Sequence, residues 1–262
     1  MSQQKPMRRR SRWIDQALPP AIILAILLLA WQGSVRALDL PPWLLPAPSD
    51  IAARFGRTAS LGYHTGMTVL EALAGFVISA ALGVCLSAGI VHSRFLESGL
   101  LPYIVVANAI PVIAIMPLLT IWFGFGIAPK IMICALISFF PIVTNTTRGL
   151  RAADPRIIEL MHSVNATSFQ VFAKVQLPSA LPFIFAGFKI AASLALVGAV
   201  VAEFYSSDRG LGYLIITSAT ELRTDLLFVA ITILAILGVV SFLLFGRLER
   251  WATRGEGSKA II

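Results

Sequence analysis

The sequence encodes an all-α polytopic membrane protein of about six transmembrane helices. Three observations say so. Mean hydropathy is +0.84, with 57% hydrophobic and only 13% charged residues, which is not the balance of a soluble domain. Several apolar runs approach or exceed the roughly 20 residues needed to cross about 30 Å of hydrocarbon. Basic residues also fall unevenly on alternate connections, as they do in membrane proteins. The net charge of +8 is therefore read as basic loops flanking membrane spans, not as a nucleic-acid footprint.

Six spans are expected, at 17–32, 67–91, 100–123, 128–144, 183–204 and 226–246. The first follows "KPMRRRSR" and is long enough to remain as a helix. "VRA" at 35–37 makes a cleaved signal peptide the competing reading. The third carries Pro102, Pro111 and Pro117, whose missing N–H groups favour a kinked or broken helix.

Between the first two spans, "LDLPPWLLPAPSD" is a proline-rich connector with Trp43 at the membrane boundary, an ordinary place for that side chain. Connections on the side of the N-terminus hold fourteen Lys and Arg, against six on the other side. By the positive-inside rule both termini are cytoplasmic. The expected division is a cytoplasmic tail at 1–16, a membrane domain at 17–250 with a polar cytoplasmic loop at 145–181, and a cytoplasmic tail at 251–262.

Cys85 and Cys134 both lie in apolar runs and read as buried free thiols. His64, His92 and His162 read as loop residues without metal-ligand spacing, so no metal site is expected.

Two ridges of small residues recur every four positions: Gly75, Ser79, Gly83 and Ser87 in the second span, and Gly187, Ala191, Ala195 and Ala199 in the fifth. Small side chains at that spacing let helix backbones approach closely in lipid. Each ridge lies near a carboxylate, Glu71 or Glu203. Acidic groups within spans are costly and often functional, but these two are expected near span ends, at headgroup level. Lys189, inside the fifth span, is expected to snorkel to the cytoplasmic interface.

The segment "ELMHSVNATSFQVFAKVQLPSALP", residues 159–182, is polar and helix-patterned between apolar runs. Asp154 before Pro155 supplies an N-cap and a proline at the first helical position. A helix to about Val164 should end at Asn165, since asparagine tolerates the left-handed conformation. Thr167 and Gln170 form a capping box that starts a second helix, from Ser168 to about Gln176. Pro178 is expected to stop that helix, with Pro182 in the first turn of the fifth span. Ile157, Leu160, Met161 and Val164 make an apolar face on the first helix; Phe169, Phe172 and Val175 make one on the second. Such a hairpin either lies on its own bundle or docks a cytoplasmic partner.

This segment resembles the "EAA" loop of binding-protein-dependent ABC importer permeases: EAA, three residues, Gly, nine residues, I-x-LP. Glu159 stands at the Glu, Leu160 and Met161 replace the alanines, Asn165 stands at the glycine, and Val175, Gln176, Leu177 and Pro178 stand at I-x-LP. "NAIPVIAIMPLLTIWFGFGIAPKI", "FFPIVTNTTRGLRAAD", "LPSALPFIFAGFKIAASLALVGAVVAEF" and "RGLGYLI" resemble the nitrate/sulfonate/taurine-type members, over roughly residues 40–250.

The resemblance implies a type I ABC importer permease fold with a cytoplasmic coupling helix between spans four and five. It implies a bacterial inner-membrane location in lipid and no nucleic-acid partner. The implied partners are two ATP-binding ABC subunits, an extracytoplasmic substrate-binding protein and a second permease copy as homodimer. ATP is used by the partner ATPase; the chain has no G-x-x-x-x-G-K-[ST] of its own, is not expected to be an enzyme, and binds no cofactor. Gly210-x-Gly212 reads as an external turn. The implied coupling residues are Glu159, Met161, His162, Ser163, Val164, Asn165, Ala166, Leu177 and Pro178, with Glu159 holding the turn through hydrogen bonds or an ion pair.

Asn108, Ser138, Asn145, Ser193 and Glu203 are candidates for the translocation pathway, each equally able to serve as an interhelical hydrogen-bond partner. The implied substrate is a small solute of the nitrate, sulfonate or taurine type, or a vitamin precursor such as hydroxymethylpyrimidine or riboflavin. A secondary transporter would instead show inverted repeats and a midplane ion site, and neither is visible. A vitamin-uptake scaffold without a soluble binding protein is the other alternative. An enzyme is disfavoured by the absence of HExxH and G-x-S-x-G.

Overall fold

A computed structural model describes the backbone of residues 11–58 and 60–253, and the side chains of all of these except residues 11–17, 101, 105, 107, 108 and 206. The described residues are helical and connected by short turns: α1 (Ser11–Ala37), α2 (Pro48–Phe55), α3 (Leu61–His92), α4 (Arg94–Asn108), α5 (Val112–Phe123), α6 (Ile127–Arg151), α7 (Pro155–Ser163), α8 (Ser168–Val171), a π-helical turn (Phe172–Gln176), α9 (Leu177–Ser206), α10 (Leu211–Thr220) and α11 (Thr224–Thr253).

Five stretches are long and apolar enough to cross a membrane: Leu18–Ala37, Leu61–His92, Ile127–Arg151, Ser168–Tyr205 and Thr224–Thr253. The expected third span is broken into α4 and α5. Pro111 stands at the break with φ −61° and ψ 107°. It has no N–H to offer, and its ring disfavours a helical Ile110. Pro102 and Pro117, by contrast, are carried inside α4 and α5.

The described residues group into two units. In the smaller, residues 11–58 and 218–229, α1 exposes most of its apolar side chains. Its end is tied to α2 by Arg36–Asp50 at 2.8 Å and by Gln32 Nε2 donating to Ser49 Oγ at 3.1 Å. Trp43 is largely exposed, and its carbonyl accepts from Thr224 Oγ1 at 2.5 Å.

In the larger unit α6 lies between α3 and α9, and the two small-residue ridges close those contacts. All of Gly75, Ser79, Gly83 and Ser87 are buried on α3. A Cβ at Gly75 would sit 2.8 Å from both Ile131 O and Ala135 N of α6. On the opposite side, a Cβ at Gly187 would lie 3.0 Å from Asn145 Cβ, and one at Gly198 would lie 3.2 Å from Cys134 Cα. Ala191, Ala195 and Ala199 are buried with Ala72, Phe76, Cys134 and Ile142 in one core.

Close approach also lets polar groups bond across helices. Ser87 Oγ donates to Val143 O at 3.1 Å, and Ser138 Oγ to Ala191 O at 3.1 Å. Such bonds each contribute roughly 0.6 kcal/mol in a membrane. Cys134 is buried as expected, whereas Cys85 is exposed.

Lys189 has a partner that the sequence reading did not foresee. Its ammonium pairs with Glu249 near the end of α11 and sits 5.8 Å from the Phe242 ring centroid, so the half-buried charge is met by a carboxylate and an aromatic face. A pairing partner sixty residues away could not be read locally.

Gly75→Ala should force α3 and α6 apart and destabilise the protein by about 1–3 kcal/mol, as overpacking does. Gly66→Ala, on the same helix with nothing within 4 Å of the added carbon, should be neutral or slightly stabilising. Thermal unfolding of the two variants in detergent checks this; equal melting temperatures would contradict the close α3–α6 contact.

Candidate coupling segment and buried polar cluster

The polar connection between α6 and α9 is a helix–turn–helix whose geometry follows its sequence closely. Asp154 caps α7, accepting from Arg156 N at 2.9 Å, with Pro155 in the first turn. Asn165 takes φ +55°. Around it, Ala166 N donates to Met161 O at 3.0 Å and Asn165 N to His162 O at 3.0 Å. That pair of bonds is a Schellman motif, with asparagine where glycine is commonest. The capping box forms in both directions: Thr167 N donates to Gln170 Oε1 at 2.8 Å, and Gln170 N to Thr167 Oγ1 at 3.3 Å.

Two expectations fail here. Pro178 does not stop a helix; it lies in the first turn of α9, and Pro182 is carried inside it. The chain runs helically from Ser168 to Ser206 through the π-helical turn, where Leu177 N donates to Phe172 O. Proline at 178 cannot donate to the carbonyl of Lys174 and would crowd it in a regular α-helix. Widening to a π-turn next to the proline relieves that crowding. Glu159 also differs: it is exposed and makes no hydrogen bond or ion pair among the described residues, so the turn is held by backbone bonds alone.

The two halves of the segment differ in burial. Val171 and Val175 are buried, and Phe172 packs against the cluster of Leu150, Ala180 and Ile184 and edge-on to His92. This half lies on its own bundle. On α7, Ile157, Leu160 and Val164 are 47%, 64% and 67% exposed, and no residue of that helix is buried. The reading that the hairpin lies on its own bundle thus holds for the second half, while the apolar face of the first half is left uncovered. Met161 and Ala166 are half-buried, His162, Ser163 and Asn165 are exposed, and Leu177 and Pro178 lie half-buried where α9 begins.

Of the pathway candidates, Ser138 bonds across to α9, Asn145 Nδ2 donates to Pro141 O at 2.8 Å, and Ser193 Oγ to Lys189 O at 3.3 Å. Ser193 also borders a cavity with Leu196, Val200 and Leu234. The Asn108 side chain lies outside the described residues.

Glu203 belongs to a second site that sequence reading did not assemble. Glu71 and Glu203 are 0% and 1% exposed, so both carboxylates are enclosed by protein. Glu71 Oε1 accepts from Lys130 Nζ at 2.7 Å, and Lys130 also donates to Ser207 Oγ at 2.8 Å. Lys130 is one of the six basic residues that the positive-inside count places on connections away from the N-terminus. It sits instead in the first turn of α6, 3% exposed, where the helix dipole opposes a positive charge, and Glu71 offsets that cost.

Glu203 Oε2 accepts from Gly212 N at 2.5 Å and Oε1 from Thr68 Oγ1 at 2.7 Å. Thr68 Oγ1 accepts from Leu211 N at 2.8 Å, and His64 Nδ1 from Gly210 N at 3.0 Å. Three successive amides at the start of α10, groups that no helix can satisfy for itself, are therefore capped from α3 and α9. His64 is a helical residue in this role, not a loop one. Gly210, at φ +104°, would drive any Cβ into the Glu203 carboxylate, and a Cβ at Gly212 would lie 2.7 Å from Val200 O. "RGLG" is the expected turn, and its glycines are there because a buried carboxylate fills the space. Outside the spans, Arg209 hydrogen-bonds Asp208 and holds its carboxyl below the usual range.

Long apolar helices closed on α6, with a polar hairpin presenting an exposed apolar face, describe a multi-pass membrane subunit. The chain belongs to the binding-protein-dependent transport system inner membrane component family, which it matches over residues 75–254. It is a type I ABC importer permease subunit of the inner membrane. It is 37% identical to the riboflavin transport system permease protein RibX of Chloroflexus aurantiacus, over 95% of this chain and 94% of that one. It is 34% identical to the formylaminopyrimidine transport permease protein ThiX of Halalkalibacterium halodurans, over 89% of this chain and 94% of that one. With the putative aliphatic sulfonates transport permease protein SsuC of Bacillus subtilis it shares 33% identity, over 97% and 93%. An inward-facing structure of the MetNI methionine ABC transporter has the same fold, with a TM-score of 0.61 at 18% identity over 71% of this chain and 94% of that chain.

Lys130→Met alone leaves the Glu71 carboxylate buried without its cation and should cost about 3–5 kcal/mol. Adding Glu71→Leu should recover most of the loss, because an apolar pair of similar volume is tolerated. A double-mutant cycle on thermal unfolding measures it; additive losses would show that the two residues do not act as a pair.

Proposed function

We propose that this chain forms the translocation pathway of an ATP-driven importer and is moved by an ATPase that docks on α7. The observation that carries the reading is the exposed apolar face of Ile157, Leu160 and Val164, held at a fixed angle by the Asn165 turn. An apolar helical face of that kind suits a groove on a partner. Met161 to Ala166 make the contact, and ATP binds to the partner, not to this chain. Ser168 to Ser206 runs helically from the turn to the Glu203 cluster, so closure of the ATPase would be transmitted along α9 as tilt.

In this reading two permease copies pair over two ATPase subunits, and an extracytoplasmic binding protein delivers the cargo. Both termini and the α7 hairpin are cytoplasmic, with tails at 1–16 and 251–262 and the membrane domain between. The pathway is lined from α4, α6 and α9. The cargo is a small vitamin-related heterocycle, a choice supported by the names of the riboflavin and formylaminopyrimidine relatives.

Asn165→Val places a β-branched residue in a left-handed turn, at about 1–2 kcal/mol. Stimulation of the ATPase by the loaded binding protein should fall roughly fivefold or more, with permease levels in the membrane unchanged. Asn165→Gly should keep coupling. Full stimulation in the valine variant would overturn the role of the turn. Titration of the cognate binding protein should show tight binding of a pyrimidine or flavin; preference for a sulfonate would overturn the choice of cargo.

A further inference from the structure

The cluster of Glu71, Lys130 and Glu203 carries a charge that its protein partners do not balance. All three side chains are buried, so water neutralises none of them. Lys130 is the only Lys or Arg buried among the described residues, and its ammonium serves Glu71 Oε1 at 2.7 Å and Ser207 Oγ at 2.8 Å. Glu203 receives neutral donors alone, the Thr68 hydroxyl at 2.7 Å and the Gly212 amide at 2.5 Å. Glu71 Oε2 is buried and has no donor, although the Glu71 and Glu203 carboxyls lie within hydrogen-bonding reach of each other.

The elements around the pair supply no second buried positive charge. On α3, His64 Nδ1 accepts from Gly210 N at 3.0 Å, which only a neutral imidazole can do. On α6, Cys134 is a buried free thiol. In the turn between α9 and α10, Arg209 is exposed and bound to Asp208 and to the Tyr63 hydroxyl. On α10, Tyr213 stacks on His64. Helix α5, which also touches α9, carries no titratable side chain. Two ionised carboxylates in contact repel strongly away from water, and pairs placed in this way hold one proton in common.

We propose that Glu71 and Glu203 share one proton, which makes this cluster a proton-binding site that fastens α3 to α9. The proton lies between Glu71 Oε2 and the Glu203 carboxyl. It gives the orphaned oxygen a donor and leaves the cluster neutral, one carboxylate against one ammonium. A metal cation fits less well, because such ions gather several oxygens. Here both Glu203 oxygens and Glu71 Oε1 are already engaged by donors, and the Lys130 ammonium sits on the same carboxylate. Losing the proton would set two like charges against each other beside the caps of α10, so the corner of α3, α9 and α10 is tied to the protonation of the pair. The titration belongs to the pair, not to either residue. The inference needs only this cluster, not the docking of an ATPase on α7.

The test is infrared difference spectroscopy of the assembled transporter in detergent, wild type minus Glu203→Gln, at neutral pH. The difference should contain the carbonyl stretch of a protonated carboxylic acid, shifting down in heavy water; its absence would overturn the proposal. The glutamine can still donate to Glu71 Oε2, and Thr68 Oγ1 can turn to His64 O at 3.3 Å, so this variant should assemble. The folded wild type holds a proton that the unfolded chain, with ordinary carboxyl groups, has released at neutral pH. Its unfolding constant in denaturing detergent should therefore rise about tenfold more per pH unit than that of Glu203→Gln, up to the pH at which the band disappears. Equal pH dependence in the two proteins would overturn the proposal. Exchanging sodium for choline in the buffer should leave the band and the melting temperature unchanged; a sodium requirement would make this a metal-cation site and overturn the shared proton. If Glu203→Gln does not assemble, the wild type decides alone. Its band should vanish, and the pH dependence of its unfolding level off, over the same pH interval; a failure to coincide would overturn the proposal.

Discussion

The distance between the backbones of α3, α6 and α9 governs the structure. Gly75 admits the α6 backbone from one side, and Gly187 and Gly198 admit it from the other. In lipid there is no hydrophobic force between apolar helices, so contact at this range supplies much of the association. The polar bonds depend on it too. Ser87 reaches Val143 O and Ser138 reaches Ala191 O only because no side chain stands between the helices.

That packing sets up different chemistry at the two ends of α6. At its first turn, Lys130 is buried against Glu71, while Glu203 and Thr68 cap the start of α10. Polar groups so deeply buried rely on the partners they find, and in this cluster Glu71 Oε2 alone of the side-chain atoms has none among the described residues. The result is a fixed knot joining α3, α6, α9 and α10. At its last turns, Leu150 and Gly149 receive Ala180 and Phe183 of α9 and so seat the root of the polar hairpin. A continuous helical rod thus joins the knot to the hairpin. The π-turn beside Pro178 is the one irregularity along it.

Much of this was legible in the residues because the signals were local. The cap at Asp154, the left-handed Asn165 and the Thr167–Gln170 box each involve groups within a few positions of one another, and each forms as read. The ridges announced close packing because small residues at i, i+4 have few other purposes in a span. Pro178 was misread because a proline can end one helix or open the next. The choice depended on whether the preceding turn could widen, which involves packing of Phe172 against His92 of α3 and the Leu150 cluster.

Hydropathy, small-residue spacing and turn chemistry in the chain alone were enough to settle an all-helical membrane bundle, a third span kinked or broken by its prolines and a capped polar hairpin, since each rests on interactions within one or two helical turns. Which helices meet, and what the charged residues are for, was decided only in three dimensions. Lys130 finds Glu71 fifty-nine residues away, Lys189 finds Glu249 at sixty, and Glu203 finds Thr68 at one hundred and thirty-five. No periodicity encodes a pairing across such separations; the buried charge takes whichever partner the folded backbone brings within hydrogen-bond reach.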